Sequence, residues 1–351
     1  MPAVGGGAWL PEDMRGDPLV AALPREVREV REVSEDRDAR EDGGQRAATA
    51  EPRAELTPAQ RRGTARAALV TLRPKQWIKN ALVVAAAGAA GAFGRDHVPI
   101  RVGIAFVAFC LLASGIYALN DVRDAPEDRL HPRKRYRPVA AGELDPRLAT
   151  ALGIALLVAG LVMCVLLRPL LGLVGLGYVV LTVSYTVALR HIVILDIAAI
   201  AGGFVLRAVA GGVAAPVTLS RWFVLVVTAA AVLVAAGKRY AELRRTVQTG
   251  ADGRRVLARY SLARLRLIIS GSAGVALFAY SVWAFSLPDI DDVPWRPLTI
   301  IPFAVCLIRY GKLVRSGSGE APEELLLSDR WLQLAGLAWL VLFALSVHAA
   351  S

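Results

Sequence analysis

The sequence predicts an all-α, polytopic membrane protein, and three observations predict it. Of its 351 residues, 55% are hydrophobic and the mean hydropathy is +0.47, too apolar for a soluble domain of this size. From about residue 78 onward, apolar runs of near-spanning length recur. The basic residues gather between alternate runs, as they do when they set membrane orientation.

Residues 1–65 stand apart. They are rich in Arg, Asp, Glu, Pro and Gly, and the stretch 25–45 carries dense mixed charge. Such a segment cannot bury a core, so 1–65 is expected to be a disordered cytoplasmic extension. Met1–Leu10 lacks the basic start and long apolar core of a cleaved signal peptide. Residues 66–351 then form the membrane domain.

A window of about 19 residues finds nine candidate helices. They are 78–94, 100–121, 147–168, 170–189, 192–213, 221–237, 262–285, 297–314 and 329–349. The first is short and rich in Gly and Ala, and the fifth carries charges. Arg168-Pro169 and Arg190-His191 are short polar breaks that suit helical hairpins.

The net charge of +11 says less than its distribution. Arg123, Arg129, Arg133, Lys134, Arg135 and Arg137 share one connection. Lys238, Arg239, Arg244, Arg245, Arg254, Arg255 and Arg259 share another. Arg61, Arg62, Arg66, Arg73, Lys75 and Lys79 precede the first span. Nine spans with a cytoplasmic N-terminus put all three groups inside, while the connection 286–296 is acidic and outside. The cations therefore report topology and attraction to the lipid bilayer, not nucleic acid. Cys110, Cys164 and Cys306 lie inside apolar runs, show no ligand or disulfide spacing, and read as small core residues.

The chemistry starts at Asn120. Asp121, Asp124 and Asp128 are spaced i, i+3, i+7, which stacks three carboxylates on one helix face. Three anions so placed repel and are costly to desolvate. A divalent cation removes both penalties, and Mg²⁺ prefers a few carboxylates plus substrate phosphate oxygens. Asn120 adds a neutral acceptor. A solvated acidic helix end paired with nearby arginines is the plainer alternative. The loop 131–142 follows with Arg133, Lys134, Arg135 and Arg137. Cations beside a metal site suit a substrate with several phosphates, although topology alone also accounts for them.

Asn120-Asp121-x-x-Asp124-x-x-x-Asp128, followed by His131-Pro132-x-Lys134-Arg135-x-Arg137-Pro138-x-Ala140-Ala141-Gly142, closely resembles the UbiA superfamily of intramembrane prenyltransferases. Arg73-Pro74-Lys75-Gln76-Trp77-Ile78-Lys79-Asn80 resembles the start of that family's first helix. Tyr185 through Arg190, with Leu195-Asp196, and Gly203 through Gly212 resemble two later segments. The resemblance covers roughly 66–349 and implies a UbiA-type bundle with a cytoplasm-facing central cavity. It also implies a multi-pass protein of the plasma membrane, with self-association, a trimer included.

A second aspartate-rich motif, D-x-x-Y-A-x-x-D, binds further Mg²⁺ and diphosphate in the aromatic prenyltransferases of this superfamily. Here that stretch reads Lys238-Arg239-Tyr240-Ala241-Glu242-Leu243-Arg244. The form is similar to the branch that transfers phosphoribosyl groups to decaprenyl phosphate for cell-wall arabinan precursors. The resemblance implies an Mg²⁺-dependent transferase with phosphoribosyl diphosphate and a polyprenyl phosphate as substrates. Asp121, Asp124 and Asp128, assisted by Asn120, would hold the metal. Lys134, Arg135, Arg137, Lys238 and Arg239 would contact phosphates. Arg190 stands where the family commonly has Lys.

Further residues carry open alternatives. Tyr240 and Glu242 would position ribose hydroxyls or a second metal, and Glu242 also suits an ion pair within a basic loop. Asp196 and Arg207 share a helix face, with Tyr185 nearby in sequence. They would line a polar cavity or belong to a buried structural ion pair between helices. Lys75 and Lys79 would meet the lipid phosphate or anchor by snorkelling. Trp77 suits an interfacial belt. Two other functions fit less well: transfer of a prenyl group to an aromatic acceptor, and membrane transport.

Overall fold

Proline, glycine and capping residues divide the chain into helices. The structure, a computed structural model, describes residues 63–132, 134–249, 260–286, 294–319 and 322–348. The charged extension falls almost wholly in 1–62, outside the described residues, as does the acidic connection at 287–293. Helix α1 spans Thr64–Thr71 and is followed by a 3-10 segment, Pro74–Asn80. Helix α2 spans Ala81–Ala89, α3 spans Val98–Arg123 and α4 spans Ala125–Leu130. Helix α5 (Pro146–Leu167) starts on Asp145, whose carboxylate accepts the amides of Arg147 and Leu148 at 2.8 and 3.2 Å. Pro169 then opens α6, Pro169–Val187. The remainder are α7 (Val193–Ala214), α8 (Arg221–Thr249), α9 (Leu262–Ser286), α10 (Trp295–Leu298), α11 (Ile300–Ser316), α12 (Pro322–Ser328) and α13 (Arg330–His348). Gly317, at φ +102°, ends α11 in a left-handed cap.

Among the described residues, eight helices are long and apolar enough to cross a membrane. The first of the nine expected spans is not among them. Its residues form the 3-10 segment, the nine-residue α2 and a second 3-10 turn at Ala92–Gly94. Pro74 at one end and the left-handed Gly91 (φ +59°) at the other stop a longer α-helix.

Helix α7 joins two apolar cores. Its Ala210 and Ala214 pack with Val83, Phe109, Leu112, Cys164 and Tyr178. Its Ile197 packs with Leu233, Tyr240, Leu265, Tyr310 and Leu332. Close approach is achieved with glycine. A Cβ on Gly115 of α3 would lie 2.7 Å from the Gly153 carbonyl oxygen of α5. A Cβ on Gly211 of α7 would lie 1.9 Å from the Val83 carbonyl oxygen of α2. Gly211→Ala must therefore push α2 outward, at about 1–3 kcal/mol or more. A lower midpoint of thermal unfolding in detergent is the expected result; an unchanged midpoint would mean the contact is slack.

The outward faces stay apolar. Ile154 and Val158 of α5, Leu173 and Val180 of α6, and Leu337 and Leu340 of α13 are all exposed. Faces of this kind on helices of spanning length need lipid, so the protein is a multi-pass membrane protein. Consecutive spans alternate in direction. The C-terminal ends of α3, α6, α8 and α11 and the N-terminal ends of α5, α7, α9 and α13 thus share one end of the bundle.

Candidate active site

The acidic motif lies at that end. The α3 helix stops at Arg123 because Pro126 cannot donate to the Val122 carbonyl. The chain nevertheless stays nearly helical: Asp124 N bonds Asn120 O at 2.8 Å and Asp128 N bonds Asp124 O at 2.9 Å. Asp121 and Asp128 therefore face the same way, and both are buried, at 2% and 3% exposure.

The loop after α4 delivers cations to them. Arg137 N bonds Lys134 O at 2.9 Å, Glu143 N bonds Pro138 O at 2.8 Å, and Gly142 turns the chain at φ +75°. Val139 and Leu144 anchor the loop on Ala67, Ala125 and Ala149. Arg137 Nη1 then sits 2.6 Å from Asp128 and 3.4 Å from Asp121. Lys134 Nζ is 4.0 Å from Asp128, and Arg73 pairs with Asp121. Two carboxylates are thus faced by three cations. Arg73 reaches in from a left-handed backbone (φ 52°) just before Pro74, with its guanidinium over the Tyr117 ring. That conformation is strained for a residue with a Cβ.

Asp124 departs from the expected triad. Its carboxylate takes Arg123 at 2.9 Å, and Arg123 also donates to the Thr186 carbonyl of α6 at 3.3 Å. Among the described residues no three His, Cys, Asp or Glu side chains converge to hold a metal. Asp121 and Asp128 do fit one. Both are oxygen donors, both are buried, and one guanidinium nitrogen already lies within reach of both. Mg²⁺ needs only one or two carboxylates when substrate phosphate supplies other oxygens.

A second cluster lies at the same end. Arg239 of α8 grips Asp196 of α7 through Nε and Nη2, the latter at 2.7 Å from Oδ1. Nη2 also donates to the Tyr185 hydroxyl at 2.7 Å, and Nη1 pairs with Glu242. The Tyr260 hydroxyl lies against the Val193 carbonyl and 3.1 Å from Asp196 Oδ2. Burial and the adjacent Asp196 charge push the Tyr260 phenol well above its ordinary pKa, so it stays a neutral donor.

Several expectations change here. Arg239 is not placed to contact phosphate: it is fully buried and most of its donors are committed to the protein. Asp196 does form an ion pair between helices, with Arg239 of α8. Lys238 through Thr249 continue α8 and are not a loop. Tyr240 turns away from the cluster, and its hydroxyl meets Arg266 Nε at 3.2 Å.

Arg207 lies deeper, about 16 Å along the α7 axis from Asp196. It donates to Asn80 Oδ1 at 2.7 Å, the Gly203 carbonyl at 2.9 Å and the Tyr178 hydroxyl at 2.7 Å. The guanidinium stacks on the Tyr178 and Phe204 rings. It ties α7 to α6 and the start of α2. The Asn80 amide continues to Cys110 of α3.

The remaining candidates sit at the periphery. Lys75 and Arg135 are exposed, and Arg135 lies on Tyr136. Lys79 donates to Gln76 at 2.5 Å. Asn120, Arg190 and Lys238 are half-buried. Trp77 donates to Ser114 at 3.0 Å, a helix contact rather than a free belt position. Arg73 and Tyr260 were not singled out by sequence reasoning. Arg73 begins the Arg73–Asn80 stretch but reads as a topology charge, and Tyr260 carries no local signal.

Residues 81–348 match the model of the UbiA prenyltransferase family. The decaprenyl-phosphate phosphoribosyltransferase of Mycolicibacterium smegmatis is 42% identical over 281 residues, covering 77% of this chain and 88% of that protein. Its counterpart in Corynebacterium glutamicum is 41% identical over 284 residues, covering 79% and 85%. A solved UbiA homolog from Archaeoglobus fulgidus, bound to GPP and Mg²⁺, superposes with a TM-score of 0.60 at 16% identity, covering 81% of this chain and 99% of that one. By the extent of these matches, this chain belongs to the UbiA prenyltransferase family.

Proposed function

We propose that this protein transfers the 5-phosphoribosyl group of phosphoribosyl diphosphate to the phosphate of a polyprenyl phosphate, such as decaprenyl phosphate, and releases diphosphate. The relatives that are 42% and 41% identical to it over the matched residues carry that activity in their names. The observation that carries the reading within this chain is the pairing of two buried carboxylates with three cations at one bundle end. Carboxylates suit a metal and cations suit phosphates.

Asp121 and Asp128 would hold Mg²⁺, with Asn120 and Asp124 at its margin. Bound there, the metal would neutralise charge on the departing diphosphate. Arg73, Arg137 and Lys134 would then contact phosphate oxygens in place of carboxylates. A phosphate oxygen of the polyprenyl phosphate attacks C1 of the ribose as the C1–O bond to diphosphate breaks. The nucleophile is already anionic near neutral pH, so no residue needs to act as a strong base. A single displacement inverts C1.

The reaction end faces the cytoplasm in this reading, because the basic connections lie there. The membrane domain 66–351 carries the activity in the plasma membrane. The test is transfer of ribose label from phosphoribosyl diphosphate into chloroform-extractable lipid by the purified full chain. Chelation of divalent metal should abolish the transfer and Mg²⁺ should restore it. Label that stays in the aqueous phase under all conditions would remove the proposal.

A further inference from the structure

We infer that Glu242 recognises the hydroxyls of the donor's ribose, and that Arg239 is a positioning residue that presents it. The inference rests on the phosphoribosyl reading and adds a residue-level basis for sugar specificity.

Three groups make the core of the second cluster: Asp196, Arg239 and Glu242. Asp196 and Arg239 have side chains at 0% exposure, while Glu242 reaches 16%. Both Asp196 oxygens accept from Arg239. Only Oε2 of Glu242 is engaged, by Arg239 Nη1. Its other carboxylate oxygen accepts no hydrogen bond from the described residues. Arg239 thus holds the Glu242 side chain through one carboxylate oxygen and leaves the other for a ligand.

Charge narrows what that oxygen can take. That oxygen belongs to an anionic acceptor, so a phosphate oxygen brought against it is repelled. A divalent cation is also disfavoured, because the guanidinium adjoins the same carboxylate and Asp196 has no oxygen to share. Neutral donors remain. Hydrogen bonds from hydroxyls to a carboxylate are charge-assisted and stronger than neutral ones. The vicinal 2- and 3-hydroxyls of a ribose offer two such donors next to the reacting C1.

Placement agrees. Arg123, beside the acidic motif, bonds the carbonyl of Thr186, and the neighbouring Tyr185 belongs to the second cluster. The two clusters thus flank one end of the bundle, one suited to diphosphate and the other to sugar. The clamp limits the rotamers of Glu242, which is what a specificity residue needs.

The experiment compares donors. The full chain, with Mg²⁺ and polyprenyl phosphate, is given phosphoribosyl diphosphate or its 2-deoxy and 3-deoxy analogues. Wild type should prefer the ribosyl donor by roughly a hundredfold or more in kcat/KM, since a site built to bond a hydroxyl rejects its absence. Glu242→Gln should shrink that preference to a few-fold, by raising KM for the ribosyl donor while the deoxy donors change little. Arg239→Lys keeps the charge but loses the fork, and should shrink the preference in the same way. Equal losses for all donors would overturn the inference while leaving phosphoribosyl transfer intact. Wild type that uses deoxy donors as well as ribosyl would overturn it whatever the variants do. Wild type that uses no phosphoribosyl donor would overturn both this inference and the proposed function.

Discussion

Asp121→Ala is expected to lower turnover by roughly a thousandfold or more, because several kcal/mol of metal-borne charge stabilisation depend on it. The helix should survive the change. Asp121 sits at the last turn of α3, and its partners Arg73 and Arg137 keep part of their surface in solvent, at 28% exposure each. Asp121→Asn keeps the shape and removes the charge, and should be nearly as inactive. Asp124→Ala is the informative contrast. Its carboxylate faces Arg123 and is 27% exposed, so its loss should cost about tenfold or less. Steady-state turnover of the three variants, each checked for an unchanged size-exclusion profile, decides the matter. Wild-type activity in Asp121→Ala would remove the metal assignment. An Asp124→Ala loss as deep as Asp121→Ala would mean that Asp124 joins the other two when substrate binds.

Arg239→Met is expected to be the most destabilising single change at the site. It strands the fully buried Asp196 carboxylate, and breaking a buried pair from one side costs about 3–5 kcal/mol. Adding Asp196→Asn should recover much of the loss, because the stranded charge is then gone. The double variant should remain poorly active, with Glu242 and Tyr185 unclamped. Thermal midpoints in detergent read both effects. A single variant as stable as wild type would show that Asp196 finds another partner or takes up a proton.

Hydropathy placed most of the helices within a few residues. The expected 147–168 and 170–189 became Pro146–Leu167 and Pro169–Val187, because proline fixes where a helix starts. The expected 221–237 became Arg221–Thr249. A hydropathy window stops at the first charges, whereas the backbone does not. At 29 residues α8 is about 43 Å long, beyond a hydrocarbon core of about 30 Å. The excess places Arg239 and Glu242 on rigid helix. The segment 78–94 failed in the other direction: it is apolar enough, but the 3-10 stretch that Pro74 opens runs through Asn80 and the left-handed Gly91 stops the α-helix.

Within the site, the i, i+7 relation of Asp121 and Asp128 was legible because it is local. The grip of Arg239 on Asp196 was not, because it spans 43 residues of chain and depends on how α7 meets α8. Arg207 shares the helix face of Asp196 but lies about 16 Å along the axis, out of its reach. The structure gives Arg207 neutral partners and aromatic rings instead. Arg73 escaped notice because its reach depends on a left-handed turn that sequence alone does not favour.

The most direct test of the account is the chemical identity of the lipid product. Purified full-length protein with Mg²⁺ would be offered phosphoribosyl diphosphate with polyprenyl phosphate and, in parallel, a prenyl diphosphate with an aromatic acceptor. Mass spectrometry should find polyprenyl phosphate enlarged by one phosphoribosyl group, with one diphosphate released per product, and no prenylated aromatic. A prenylated aromatic with polyprenyl phosphate unchanged would contradict the account.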